Sequence, residues 1–249
     1  MIKTIKLNVY KYVVLIVSLV PYSVFAQNQW GLGFGGLIED QGYIDIGSQT
    51  TPIPIIYFES ENLQVFGPTF NYKIATFDKV NYSFVGQYRF DGYEANDGDI
   101  FRGMDDRLGA FDIGISINYK TNDNQFTFLA LTDVSKNHNG YEINLTYSKY
   151  YHSKLSSIIP YVTIIQKSDE LVDYYYGVQA DEATVFRSSY YGEATMNIQF
   201  GIRSNWRIGK HHNFTANAYY MVYGNNIKNS PLIDSSGKTR IVLGYMYVF

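Results

Sequence analysis

Apolar and polar residues alternate with a period of two along most of the chain. In Phe111-Asp-Ile-Gly-Ile-Ser-Ile-Asn-Tyr119 every odd position is apolar or aromatic, and Asp112, Gly114, Ser116 and Asn118 oppose them. Successive side chains of a strand point to opposite faces, so the pattern predicts a strand with one apolar and one polar side. Tyr141, Ile143, Leu145 and Tyr147 repeat it against Glu142, Asn144, Thr146 and Ser148. Ala194, Met196, Ile198, Phe200 and Ile202 do so against Glu193, Thr195, Asn197, Gln199 and Arg203, and Phe214, Ala216, Ala218, Tyr220 and Val222 carry a further run. At the end of the sequence Ile241, Leu243, Tyr245, Tyr247 and Phe249 share a face, with Arg240, Val242, Gly244, Met246 and Val248 on the other.

Extending these runs through the noisier stretches predicts strands at 28–38, 53–59, 63–76, 80–92, 108–119, 125–135, 139–150, 157–168, 172–178, 190–206, 211–224 and 239–249. That makes twelve, an even number. Pro52, Pro54 and Pro68 weaken the second and third, because proline removes a ladder donor, so ten is the next count. No stretch shows a capped helical face, and no linker or fixed repeat divides the chain. The fold class is therefore all-β, and the length of the strands chooses between two forms of it. A soluble sandwich favours strands of about five or six residues. These are longer, which favours a transmembrane antiparallel β-barrel whose apolar face meets lipid and whose polar face lines the lumen. Tyr at strand ends (Tyr88, Tyr93, Tyr119, Tyr150, Tyr190 and Tyr247) fits interfacial belts.

Composition adds compartment and chemistry. Lys3, Lys6 and Lys11 precede an apolar run, Tyr12 to Val20, and Val24-Phe25-Ala26 has the small-x-small form that signal peptidase accepts. Residues 1–26 are expected to be a cleaved signal peptide and residues 27–249 a single barrel domain in the outer membrane of a Gram-negative-type cell. Cleavage removes three Lys and no acid, taking the formal charge from −3 to about −6 (−3 − 3). With no Cys, neither disulfides nor thiolate chemistry is open to the chain. Scattered basic residues in an acidic chain argue against nucleic acid.

The charges on polar strand faces, Arg89, Asp91, Asp112, Glu142, Glu193, Arg203 and Arg240, are expected to point into the lumen. Unpaired buried charge is expensive, which favours paired networks over a charge-lined pore. Counting hairpins back from a periplasmic C-terminus puts 225–238 and 179–189 outside and 207–210 and 169–171 inside. The same count puts 93–107 on the periplasmic side, where Arg102, Asp105, Asp106 and Arg107 would help form a partner-binding or plug-like surface. Catalysis finds little support. Only His138, His152, His211 and His212 are available as bases, and in His152-Ser153 neighbouring side chains on a strand point apart. Gly31-Leu-Gly-Phe-Gly-Gly36 is followed by no helix and is not a phosphate-cradling loop. Neither a cofactor nor a metal is expected.

Two resemblances sharpen this reading. Gly244, Tyr247 and Phe249 resemble the C-terminal signature that barrel-insertion machinery recognises, with Val242 where that signature prefers a polar residue. Asp173-Tyr-Tyr-Tyr-Gly-Val178, followed by Glu182-Ala183, Arg187 and Tyr190-Tyr191, resembles the MipA/OmpV family of outer-membrane proteins. So do Gly31–Gly36, Pro52/Pro54 to Tyr57, Arg102-Gly-Met-Asp-Asp-Arg107, Ser230-Pro-Leu232 and the aromatic end, although Arg240 and Ile241 stand where relatives carry more Gly and Ser. The resemblance implies a non-enzymatic barrel in contact with outer-membrane lipid that joins a lytic transglycosylase to a murein synthase. The alternatives are a small pore or osmoregulated channel, or a surface adhesin using residues 39–51, 179–189 and 225–238.

Overall fold

The computed structural model describes residues 28–249; the signal-peptide expectation lies outside them. Twelve antiparallel strands close into a barrel: β1 (Gln29–Asp40), β2 (Gln49–Glu59), β3 (Leu63–Phe66), β4 (Thr69–Phe77), β5 (Val80–Arg89), β6 (Ala110–Lys120), β7 (Asn124–Asp133), β8 (Tyr141–Lys149, continued by Tyr151–His152), β9 (Ser156–Lys167), β10 (Thr195–Ile208), β11 (His212–Val222) and β12 (Gly237–Val248). Each strand pairs with its neighbour in sequence, and β12 returns to β1 with Gly31 opposite Val248 and Asp40 opposite Thr239. Closure leaves no free sheet edge along that seam, as hydrocarbon requires. Gly33 is needed there, since a Cβ at this position would lie 2.0 Å from the Tyr245 carbonyl oxygen.

The alternation sorts as the pattern predicts. Leu32, Phe34, Ile115, Leu145, Ile198, Phe200 and Leu243 are exposed on the outer face, while Asp112, Ser116, Glu142, Thr163 and Asn197 are buried on the inner one. In a membrane that outer apolar surface is the lipid contact. Tyr88, Tyr119 and Tyr147 are exposed there too. Tyr93 and Tyr190 instead pack in the loops, and Tyr150 lies beneath Lys120, so the expected belt loses three of its members.

Twelve strands are present, but two of the expected ones differ. Residues 63–76 are not one strand: the chain turns at Gly67, with φ +54°, and Pro68, giving β3 and β4. Residues 172–178 do not cross the membrane. They belong to a helix, α1 (Asp169–Tyr176), capped by Ser168, whose hydroxyl accepts from the Leu171 amide. Asp169 and Glu170 occupy its first turn, where carboxylates favour the positive helix end, and Leu171, Val172, Tyr175 and Tyr176 form its buried face.

This change of element moves a side assignment. Residues 168–194 become one long loop, and every connection between it and the turn at Gly67 changes side. The short turns at 60–62, 78–79, 121–123, 153–155 and 209–211 lie at the end of the barrel where β1 starts and β12 finishes. The connections 41–48, 90–109, 134–140, 168–194 and 223–236 lie at the opposite end. Barrels of this kind turn tightly in the periplasm and carry their long loops outside. The segment 93–107 is thus a neighbour of 179–189 and 225–238, and its expected periplasmic position is wrong.

The main apolar core is formed by those loops. Tyr43, Tyr93, Phe101, Leu171, Val172, Tyr175, Tyr176, Tyr223, Ile227 and Leu232 pack together across the outer mouth, the last two flanking the end of a short helix, α2 (Asn225–Lys228). Tyr43 stacks on Tyr176 with ring centroids 5.7 Å apart, and its hydroxyl donates to the Tyr175 carbonyl at 2.9 Å. The long loops therefore fold into a cap.

Candidate functional site

Directly below the cap, the cap-side ends of six strands and one loop residue build a buried ion network. Arg89, at the end of β5, donates through Nε and Nη2 to Asp112 Oδ2 at 2.9 and 2.7 Å, and through Nη1 to Glu142 Oε2 at 2.9 Å. Asp91 stands at the centre. Its Oδ1 receives Lys238 Nζ at 2.5 Å and Arg240 Nη2 at 3.2 Å, and its Oδ2 lies 3.4 Å from Arg89 and 3.7 Å from Lys167. Glu39 closes the ring, accepting Lys238 at 2.9 Å and also Arg240.

Formal charge balances: Arg89, Lys167, Lys238 and Arg240 face Glu39, Asp91, Asp112 and Glu142, four against four. Burial pushes the Asp91 carboxyl up, but Lys238, then Lys167, Arg89 and Arg240, outweigh it and hold the group well below the usual carboxylate range. Such an arrangement is costly to assemble and more costly to break one member at a time.

His138 extends the network to the 134–140 loop. The Gly140 amide donates to its Nδ1 at 3.0 Å, so the proton sits on Nε2, which donates to Asp112 Oδ1 at 3.0 Å. Asp112, Asp133 and His138 are close enough together to resemble a metal site. Their atoms are already engaged, however: Asp112 by Arg89 and His138, and Asp133 by Ser135 and by the amides of His138 and Asn139. The trio ties a turn to the network.

Of the seven charges expected in the lumen, Arg89, Asp91, Asp112, Glu142 and Arg240 join this network. Arg203 faces the lumen lower down, 5.4 Å from the centre of the Tyr161 ring, and Glu193 is exposed in the loop before β10. Glu39, Lys167, Lys238 and His138 were not anticipated. Lys167 shares its face with Ile159 and Ile165, which blurs the alternation, and Lys238 precedes the expected start of the last strand.

The four residues expected to form a partner surface also divide. Arg102 is solvated beside Asp99 at 2.9 Å, and the Asp106 carboxylate accepts the Ala95 amide at 2.7 Å. Arg107 is buried: its Nη2 donates to both oxygens of Glu182 at 2.8 and 2.9 Å, and its Nε to the Tyr174 carbonyl at 2.9 Å. The Asp105 amide donates to Glu182 at 3.0 Å. Arg107 clamps the 90–109 loop to the 168–194 loop. Of the expected insertion signal, Gly244 faces the lumen, and Phe249 is 70% exposed on the outer side.

Below the network the lumen changes character. Tyr161 crosses it, donating to Asn217 Oδ1 at 2.9 Å and accepting from Gln199 at 3.2 Å. Beneath that layer lies a cavity of about 410 Å³ near the short-turn end, lined by Ile55, Tyr57, Phe66, Asn205, Arg207 and Asn213 among others.

The profile of the MltA-interacting protein MipA family matches residues 32–249, from the first strand through the last. The chain belongs to that family. Among curated relatives, outer membrane protein OmpV of Vibrio cholerae serotype O1 is 23% identical over 157 residues, covering 63% of this chain and 61% of that protein. The MltA-interacting protein of Escherichia coli K12 is 24% identical over 240 residues, covering 90% of this chain and 92% of that protein. The chain thus spans less than two thirds of the OmpV length. Among solved structures it is similar to an outer membrane channel from Pseudomonas putida F1, at 10% identity, 93% of this chain, 100% of that chain and a TM-score of 0.47. In this MipA-family barrel the Asp173–Val178 block that carries the family resemblance supplies the cap helix, with Tyr175 and Tyr176 in the cap core.

Proposed function

We propose that this barrel is a non-enzymatic scaffold at the outer membrane, whose periplasmic rim engages a lytic transglycosylase and brings a murein synthase to it. The observation that carries the reading is a lumen closed on the outside by the tyrosine cap and the balanced ion network, and hollow towards the periplasm. A solute path would have to cross both layers, which disfavours the channel alternative. The relative named MltA-interacting protein supports the choice of partner.

The histidines are committed to structure. His138 serves Asp112, His211 Nδ1 contacts the Val248 carbonyl at 2.7 Å, His212 Nδ1 contacts the Tyr245 hydroxyl at 2.9 Å, and His152 stacks on Tyr150. Among the described residues none hydrogen-bonds a serine hydroxyl, the contact that an acyl-transfer nucleophile requires. Capture of the tagged chain from crosslinked envelopes is expected to recover a lytic transglycosylase, and purified transglycosylase is expected to bind the purified barrel. Recovery of no murein enzyme, with no binding between the purified proteins, would overturn the scaffold reading.

A further inference from the structure

The two halves of the lumen differ in charge. In the network below the cap, Arg89, Lys167, Lys238 and Arg240 each meet a carboxylate. In the open half, Arg203, Arg207 and Lys120 project inward, and among the described residues none has a carboxylate within ion-pair distance. Arg203 lies over the Tyr161 ring at 5.4 Å, Lys120 over the Tyr150 ring at 4.6 Å, and Arg207 Nη2 donates only to the Lys210 carbonyl at 3.1 Å. Of the acids at the same end, Glu59 already accepts the Tyr57 hydroxyl, and Glu61, Asp78 and Asp123 stand in the short turns without an ion pair to these three cations.

A vestibule whose cations lack ion-pair partners concentrates anions. Its other surfaces are aromatic faces, Tyr57 and Phe66, and side-chain amides, Asn205 and Asn213, around about 410 Å³ of space. That volume falls in the range of roughly 300–1,000 Å³ typical of small-molecule sites. Aromatic rings suit the apolar faces of sugar rings, the amides suit hydroxyl and acetamido groups, and Arg207 suits a carboxylate.

We propose that the periplasmic half of the lumen is a binding chamber for a carboxylated amino-sugar fragment, held by its carboxylate at Arg207 with its sugar ring against Tyr57. The chamber would place such a fragment at the rim where the scaffold's enzyme partner works. The inference rests on the scaffold reading only for the source of the ligand; the chamber stands on its own lining.

The test uses the purified full barrel in detergent and the soluble disaccharide-peptide released by enzymatic digestion of murein, with chitobiose as the neutral amino-sugar control. Titration is followed by calorimetry and by the fluorescence of Trp206, which borders the cavity. The carboxylated fragment is expected to bind, chitobiose to bind about tenfold more weakly or not at all, and Arg207→Gln to weaken the fragment about tenfold. Asn213→Asp, which adds a negative charge to the wall, is expected to weaken it as well and serves if Arg207→Gln fails to fold. Equal affinity for the two sugars, undiminished binding in a folded variant, or no binding of the fragment to the wild type would overturn the proposal. Transglycosylase capture is scored on the same preparation, so loss of capture with fragment binding intact strikes the scaffold alone.

Discussion

Asp91→Asn is expected to cost the barrel about 3–5 kcal/mol, the usual penalty for removing one member of a buried ionic cluster. The side chain keeps its shape, but Lys238, Arg240, Arg89 and Lys167 all converge on its two oxygens. An amide offers one acceptor and turns its own N–H groups towards cations. Four cations then face three carboxylates in a space with little water. The measurement is the urea midpoint of the folded, heat-modifiable form in detergent micelles. Lys238→Met in the same chain restores the balance and should recover much of the loss, whereas Asp123→Asn in an exposed turn should shift the midpoint by less than about 1 kcal/mol. An unchanged midpoint for Asp91→Asn would mean that the network does not hold the capped half together.

The second large effect concerns the cap. Glu182 accepts Arg107 twice and also the amides of Asp105 and Gln179, while Arg187 reaches back to the carbonyls of Ile100 and Glu182. These bonds hold a tight turn whose tip, Val185 and Phe186, is 96% and 92% exposed. Glu182→Ala leaves the buried Arg107 guanidinium without its acid, and the 168–194 loop should loosen from the 90–109 loop. Chymotrypsin added to intact cells is then expected to cut at Phe186 at least about tenfold faster than in the wild type, because cleavage follows the population of the opened loop.

The same carboxylate gives the clamp a pH dependence with a definite sign. Burial raises the Glu182 carboxyl, but the Gln179 and Asp105 amides and Arg107 outweigh it and lower the group below its ordinary value. A carboxyl depressed in the folded state contributes its stability above the unfolded value, near 4.5, and loses it as pH falls through the lower folded value. Hydrogen exchange at the Asp105 and Gln179 amides, corrected for intrinsic rate, should stay slow at neutral pH and quicken below that range in the wild type. In Glu182→Gln it should be fast at both. Exchange that is equally slow in the variant would show that the clamp does not depend on this ion pair.

The wall of the barrel was legible because each strand carries its own evidence. Phe111–Tyr119 and Met196–Ile202 alternate without error, and both stand where the pattern puts them. The cap was not, since it has no period. Asp173-Tyr-Tyr-Tyr alternates no differently from a short strand, and its helix is set by a Ser168 hydroxyl and by burial against Tyr43 and Tyr223, residues more than 40 positions away. That single misassigned element, offset in the count by the turn at Gly67, carried 93–107 to the wrong side of the membrane. Pairing in the lumen was equally hidden. Arg89 and Glu142 are 53 residues apart and Lys238 and Asp91 are 147 apart, so inward direction could be inferred for each but partnership appears only when the sheet closes.

A cysteine at Asn213, on the wall of the open chamber, tests the central claim of a lumen shut to the outside and open to the periplasm. With a membrane-impermeant maleimide, Asn213→Cys is expected to stay unlabelled in intact cells and to label once the outer membrane is permeabilised, while a cysteine at Asn96 in the outer loops labels in both. Labelling of Asn213→Cys in intact cells at the rate seen for Asn96→Cys would contradict the capped barrel and restore a path through it.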